Sequence, residues 1–224
     1  MEKIRILSTK SLENNLKNLF NKKQFDLHEH DFITIDFTNF DLPQHFQSWI
    51  FSSKNSVESV FSKKISPKTL FNKIYCVGEN TKSLIEKYGQ KVNKMCHNSS
   101  ELSNHILKHS SKEKFLFCRG NIQNQSFTNF FKQKNIDLNE LVVYMNKSNP
   151  KKLKEKFEAI MFFSPSGIKS FLEKNSLGNS ICVCIGKTTA EFAEKHTTKV
   201  IYCKTPSIRS VINKTIKLFN NEQY

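Results

Sequence analysis

Ala159-Ile160-Met161-Phe162-Phe163-Ser164-Pro165-Ser166-Gly167-Ile168-Lys169-Ser170-Phe171-Leu172 is the stretch on which the fold turns. Five apolar residues run straight into a Ser-Pro-Ser-Gly turn. Ile168, Phe171 and Leu172 then fall on one helical face. A short apolar run with no polar alternation is a strand buried on both sides, the condition of a strand in a parallel sheet. Strand, polar turn and helix in immediate succession make one βα unit.

The same succession recurs outward from there. Downstream, Ile181–Ile185 leads into Gly186-Lys187-Thr188-Thr189, with Phe192 and Ala193 behind it. Val200–Cys203 then precedes Thr205-Pro206-Ser207 and a closing helix carrying Val211, Ile212, Ile216 and Phe219. Upstream, Ile4–Leu7 ends in Ser8-Thr9-Lys10, and Leu12, Leu16, Leu19 and Phe20 keep helical spacing. Phe32–Phe37 alternates as a strand does. Trp49-Ile50-Phe51 leads into Ser52-Ser53-Lys54-Asn55 and a face of Val57, Val60 and Phe61. Ile74–Val77 leads into Gly78 and a helix around Leu84 and Ile85. Ser99-Ser100-Glu101 opens a helix with Leu102, Ile106 and Leu107 behind it. Phe115–Cys118 leads into Arg119-Gly120 and a helix of Phe127, Phe130 and Phe131, and Leu141–Met145 is a further strand. The alternation predicts parallel sheets flanked by helices, with ligands at the carboxyl ends of the strands, where the polar turns stand.

Composition narrows the function. The 224 residues carry 38% hydrophobic and 25% charged side chains, which suits a folded protein of one large or two small domains. The net charge of +15 is almost all lysine, since arginine stands only at positions 5, 119 and 209. It is spread along the chain instead of clustered with aromatics, which argues against nucleic-acid binding; it suits capture of an anionic small molecule. None of the six cysteines forms a CxxC pair, and Cys76, Cys118, Cys182 and Cys184 sit in apolar runs. That pattern reads as reduced thiols in a cytoplasmic protein. The first residues lack a signal peptide's apolar stretch, and no run reaches the roughly 18 apolar residues of a membrane span.

The chain echoes itself. Val77-Gly78-Glu79-Asn80-Thr81 parallels Ile185-Gly186-Lys187-Thr188-Thr189, and Val92 and Val200 each stand 14 positions after the glycine. Earlier in the same order, Ile50-Phe51-Ser52-Ser53-Lys54-Asn55 parallels Phe162-Phe163-Ser164-Pro165-Ser166-Gly167. Two like modules imply two like domains with a cleft between them.

Several chemistries fall away. Gly186-Lys187-Thr188 resembles the end of a phosphate-binding loop, but Ile181 stands where that motif needs its first glycine. No GxGxxG occurs. Glu101, His105 and His109 share a helical face at metal-ligand spacing, yet their Ser and Lys neighbours read as a solvated surface; His28 and His30 around Glu29, in a loop or strand start, read the same way. Cys118 beside Arg119 has a nearby cation and no partnered histidine, so it reads as a strand-interior residue. What remains is hydroxyls and amides at turns: Thr9, Ser52, Ser53, Asn55, Thr81, Ser164, Ser166, Thr188 and Thr189. Each serves as an ordinary helix cap when taken singly. Together they gather where a parallel sheet holds its ligand, and helix starts with free N–H groups hold carboxylates.

Phe162-Phe163-Ser164-Pro165-Ser166-Gly167-Ile168, then Ile185-Gly186-Lys187-Thr188-Thr189-Ala190, then Thr205-Pro206-Ser207 resemble the C-terminal signature of the uroporphyrinogen-III synthase family. Ile50–Val57 and Val77–Thr81 resemble its second-domain motifs, and Val143-Tyr144 matches its strand tyrosine. One departure is Thr9-Lys10-Ser11, where the family has Thr-Arg-Pro; lysine keeps the charge and loses the bidentate fork.

The resemblance implies two flavodoxin-like parallel-sheet α/β domains joined by a two-stranded ladder. Domain one would be residues 1–36 plus 148–224 and domain two residues 40–142, with 37–39 and 143–147 as connecting strands. It implies a monomeric, cofactor-free and metal-free lyase of haem biosynthesis. Its substrate would be hydroxymethylbilane, a linear tetrapyrrole with eight carboxylates, closed with inversion of the terminal ring and loss of water, the domains closing around product. Transient contact with the preceding pathway enzyme would fit. Tyr144 would assist departure of the hydroxyl. Thr9, Lys10, Ser164, Ser166, Gly186, Thr188 and Thr189 would hold carboxylates from one domain, and Ser52, Ser53, Asn55, Gly78, Thr81 and Arg119 from the other. A two-lobed small-molecule sensor without turnover is the alternative with nearly the same features.

Overall fold

The computed structural model describes residues 2–43, 46–62, 71–122 and 125–220. The chain forms two compact units, Met1–Thr34 with Lys147–Tyr224 and Ile35–Asn146. Each is built on its own sheet, and each is α/β.

Unit 1 carries a five-stranded sheet. Its strands are β1 (Ile4–Ser8), β2 (Phe25–Glu29), β9 (Ala159–Phe162), β10 (Ile181–Cys184) and β11 (Val200–Tyr202). They lie in the order β11-β10-β9-β1-β2, every adjacent pair parallel. Numbered along this unit alone the order is 2-1-3-4-5, that of flavodoxin-like sheets. Helices α6 (Pro165–Leu172) and α7 (Lys187–Ala193) cover one face, packing on Phe162, Cys182 and Cys184. Helix α8 (Ile208–Asn220) and the segment after β1 cover the other, on Ile6, Met161 and Val183. Neighbouring residues of β9 alternate between these two cores, so both sides of the strand are apolar and the sequence shows no alternation.

Unit 2 carries six strands: β3 (Ile33–Phe37), β4 (Ser48–Phe51), β5 (Lys73–Val77), β6 (Lys94–Cys96), β7 (Phe115–Gly120) and β8 (Leu138–Ser148). Their order is β3-β8-β7-β4-β5-β6, with the pairs from β8 to β6 parallel. Helices α2 (Lys54–Phe61) and α3 (Glu79–Lys87) cover one face, over Trp49, Phe51 and Cys76. Helices α4 (Ser99–His109) and α5 (Ser126–Gln133) cover the other, over Ile50, Tyr75 and Phe117. Trp49, Phe51, Phe115 and Phe162 are fully buried, each worth roughly 1.5–3 kcal/mol of transfer free energy.

The two sheets repeat one plan. With β4 matched to β9, β5 to β10, β6 to β11, β7 to β1 and β8 to β2, the spatial orders coincide. The chain enters the plan at different points: unit 2 runs β4 to β8 unbroken, whereas unit 1 starts at β1 and receives β9 to β11 after the excursion. Strands β3 and β8 carry the chain from one unit to the other. Asn149 N–H donates to Phe32 O and Thr38 N–H to Val143 O, a pairing of opposite direction, so this ladder is antiparallel.

Four expectations need correction. Phe25–Glu29, treated only as a loop or strand start, is the edge strand β2, its backbone paired with β1 from Ile4↔Phe25 to Ser8↔Glu29. The helix expected over Leu12–Phe20 shrinks to α1 (Asn14–Lys17), whose N-cap residue Glu13 makes no side-chain cap bond. Asparagine is a weak helix former, so the segment turns while Leu12 and Phe20 still reach the core. Arg119-Gly120, expected in a turn, belongs to β7. The internal echo also shifts by one residue in its first module: Ser53 and Ser164 are the equivalent N-caps, so Phe51 corresponds to Phe162 and Asn55 to Ser166.

Candidate functional site at the carboxyl ends of the strands

In an open α/β sheet the ligand crevice opens where consecutive connections leave in opposite directions. In unit 1 that point lies between β1 and β9. In unit 2 it lies between β7 and β4. The turns after β1 and β9 and after β7 and β4 flank these two points, and those after β10 and β5 stand one strand further out.

In unit 1, Thr9 is buried, and its hydroxyl donates to Met161 O at 2.7 Å while its N–H donates to the same carbonyl at 3.1 Å. It ties β1 to β9. Ser164 caps α6: its Oγ accepts the Gly167 N–H at 3.1 Å and lies 2.9 Å from Ser166 Oγ. A Cβ built on Gly167 would stand 3.4 Å from Ser164 Oγ and 3.8 Å from Thr9 Oγ1, so Thr9, Ser164, Ser166 and Gly167 form one cluster. Lys10 is exposed beside it and makes no ion pair among the described residues. Gly186 precedes α7; a Cβ there would meet Pro206 Cγ at 3.5 Å, which brings together two parts of the signature. Thr188 is exposed and Thr189 is buried.

In unit 2, Ser53 caps α2, its Oγ accepting the Ser56 N–H at 3.2 Å, and it lies 3.1 Å from Tyr144 Oη. Ser52 is exposed and Asn55 half-buried. Gly78 precedes α3 with φ 85°, a conformation that favours glycine. Thr81 is buried at the same offset from Gly78 as Thr189 from Gly186. Registers equate Arg119 with Lys10, because Phe51 faces Cys118 and Met161 faces Ser8. The two cations differ in state. Arg119 bonds Glu140 through Nε and donates from Nη1 to Gly120 O at 2.8 Å, so it is engaged within its own sheet.

Sequence reading missed Gly120, Ser56, Ser59 and Thr38, all of which touch the surroundings of Tyr144. Only Gly120 had a visible signal, as a glycine closing an apolar strand. Other sequence candidates have structural duties. Glu101 completes a capping box on α4, its N–H bonded by Asn98 Oδ1 and its carboxylate taking the His97 N–H and Asn98 Nδ2. No cluster of three metal-binding side chains occurs among the described residues. All six cysteines are free and buried. Burial pushes the Cys76 and Cys184 thiols up to about 12 and Cys182 to about 11, and Cys118 higher still, far from thiolate character at neutral pH.

A cavity of about 1080 Å³ opens in unit 1 at the amino ends of the strands, lined by Phe157, Glu158, Ser180, Lys199 and Val200. It lies at the opposite ends of β9 and β10 from the hydroxyl cluster and contains none of its members. The hydroxyl cluster and the switch-point rule make the carboxyl rim the candidate site.

Against known proteins, the family model for uroporphyrinogen-III synthase HemD matches residues 16–213. The chain belongs to the uroporphyrinogen-III synthase family. The porphyrin biosynthesis protein HemD of Ruminiclostridium josui is 26% identical over 196 residues, 79% of this chain. The chain spans only 39% of that relative's length. Two solved structures share the fold. The uroporphyrinogen-III synthetase of Helicobacter pylori matches with a TM-score of 0.75 at 22% identity, over 97% of this chain and 100% of that one. A mutant uroporphyrinogen III synthase of Thermus thermophilus matches with a TM-score of 0.66 at 10% identity, over 98% and 100%.

Proposed function

We propose that this protein converts hydroxymethylbilane to uroporphyrinogen III, as a monomer in the cytoplasm that uses no metal or cofactor. The observation that carries the reading is the family match over residues 16–213. The hydroxyl-capped turns at both switch points support it, because they are donors suited to carboxylates. Buried free thiols support a reducing compartment, and among the described residues no helix is long and apolar enough to cross a membrane.

The chemistry is driven by pyrrole electrons. The terminal carbon–oxygen bond breaks as the pyrrole nitrogen lone pair pushes in, and the departing oxygen takes a proton from Tyr144 to leave as water. The resulting azafulvene is attacked by the far pyrrole at its substituted carbon, giving a spiro intermediate that fragments and re-closes with that ring inverted. The proton lost as the closed ring regains aromaticity returns to the Tyr144 oxygen. Binding orders a floppy polyanion, and that ordering is the protein's main contribution. Lys10, Ser164, Ser166, Gly186 and Thr188 take carboxylates at the rim of unit 1, where Thr9 is spent on Met161 O and Thr189 is buried. Ser52, Asn55 and Gly78 do so at the rim of unit 2, where Arg119 is held by Glu140, Thr81 is buried and Ser53 is engaged with Tyr144. A transient encounter with the enzyme that makes the substrate fits a labile linear tetrapyrrole. The test is product isomer analysis after incubation with hydroxymethylbilane. The type III isomer is expected; only the spontaneous type I isomer would make the protein a binding module without turnover. Light scattering checks the monomer.

A further inference from the structure

The surroundings of Tyr144 are built to aim one side chain. Along β8, Arg119 pairs with Val142 but Gly120 pairs with Tyr144, so Val143 is an extra residue, a β-bulge. In a regular strand, consecutive side chains point to opposite faces. Here Val143 and Tyr144 both enter the same apolar core. The bulge is held on its far side: Thr38 N–H and the Ser59 hydroxyl donate to Val143 O, and the Thr38 hydroxyl donates to Val142 O at 2.8 Å.

The re-aimed ring needs room, and Gly120 supplies it. A Cβ on Gly120 would stand 2.6 Å from Tyr144 Cζ, 2.7 Å from Cε2 and 2.9 Å from Oη. Carbon atoms in contact sit about 3.5–4.0 Å apart, so the ring occupies space that any other residue would fill. At the end of the notch the phenol meets Ser53 Oγ at 3.1 Å. Ser53 is fixed in turn as the cap of α2 and by Ser56.

We infer that Gly120 and Ser53 are positioning residues for Tyr144, the glycine as the notch that admits the ring and the serine as the partner that sets the direction of its hydroxyl. The inference rests on the ring-closing reading of this protein. The bulge turns the ring, the missing side chain lets it lie against Gly120 of β7, and Ser53 holds Oη at a helix start on the carboxyl rim. A merely structural tyrosine needs the packing and not the hydroxyl.

The experiment is a double-mutant cycle. Gly120→Ala, Ser53→Ala and Ser53→Thr are each made with Tyr144 and with Tyr144→Phe, and kcat, KM and melting temperature are measured with hydroxymethylbilane. Tyr144→Phe is expected to lower kcat about a hundredfold. With Tyr144 present, Gly120→Ala and Ser53→Ala are each expected to lower kcat about tenfold, a hydrogen bond's worth, with KM changed less than about twofold. Ser53→Thr keeps the hydroxyl and is expected to restore the rate. In the Tyr144→Phe protein the same changes should leave kcat almost untouched, although melting temperature falls in both. Equal rate losses in both backgrounds overturn the inference. If Gly120→Ala does not fold, the Ser53 pair decides. Wild-type turnover by Tyr144→Phe overturns the inference and leaves the proposed function standing; absence of type III product from the unaltered protein overturns both.

Discussion

The two units share a sheet plan and differ at both of its rims. At the carboxyl rim, the equivalent caps Ser53 and Ser164 meet different neighbours. Ser164 faces another hydroxyl, Ser166, in a small polar cluster, whereas Ser53 faces the Tyr144 phenol. Beside them, Lys10 is uncommitted among the described residues and its counterpart Arg119 is bound to Glu140. At the amino rim, unit 2 is clasped: Glu113 accepts from Lys73 at 2.5 Å, from the Ser48 hydroxyl at 2.5 Å and from the Tyr75 hydroxyl at 3.2 Å, joining β4, β5 and the approach to β7. Unit 1 has the cavity at that rim instead. The repeated plan supplies a scaffold, and the side chains on its rims assign the work: unit 1 offers open polar donors, and unit 2 presents one aimed aromatic hydroxyl.

If the scaffold is one plan, equivalent core positions should cost the same to empty. Phe51→Ala and Phe162→Ala, both fully buried, are each expected to destabilise by about 3–5 kcal/mol. Hydrogen exchange should rise in β4 and β5 for the first and in β9 and β10 for the second; exchange rising in the other unit's strands would break the correspondence. At the rims the comparison sharpens. Ser164→Ala is expected to cost about 1 kcal/mol through the lost cap, to raise KM severalfold and to leave kcat unchanged, unlike Ser53→Ala. Titrating turnover against substrate separates the two.

The clasp predicts a pH dependence confined to unit 2. Burial works against the charge on Glu113, but the hydrogen bonds from Lys73 and Ser48 outweigh it and hold the carboxyl below its ordinary 4.5. Its stabilisation is therefore present above that value and lost as pH falls through the lower folded pKa. The hydrogen bond to Glu113 and its charge raise Lys73 above 10.5, so the complementary loss comes only in strong base. Glu113→Gln should accelerate exchange at the amino ends of β4 and β5 at neutral pH, with the difference from the unaltered protein shrinking as pH falls below 4.5 and vanishing once it has passed the lowered folded pKa. A constant difference at all pH values would remove the charge from the explanation. The smallest effects belong to the cations. Lys10→Ala should raise KM in a salt-dependent way with no change in stability, and Arg119→Ala should lower stability by up to about 1 kcal/mol. Thermal melts and kinetics at two salt concentrations check both.

Much of this was legible in the chain. The doubly buried strands announced themselves as unbroken apolar runs, and Ser164, Gly186 and Ser53 marked helix starts because caps have few alternatives. The edge strand Phe25–Glu29 was not legible. Its burial is partial, and its Asp26, His28 and Glu29 resemble a loop until β1 supplies their backbone partners. The short α1 escaped for the opposite reason: helical spacing of Leu12, Leu16 and Phe20 is met equally by a turn that dips into the core.

Local pattern alone determined that this chain alternates strand and helix, repeats itself, and lines its turns with hydroxyls, since burial and capping are written residue by residue. Tertiary structure alone decided that Lys10 stays available while Arg119 does not, that Thr81 and Thr189 are buried, and that Gly120 is the notch for Tyr144. Those outcomes depend on partners that lie on other strands, and on a bulge whose register only the paired sheet defines.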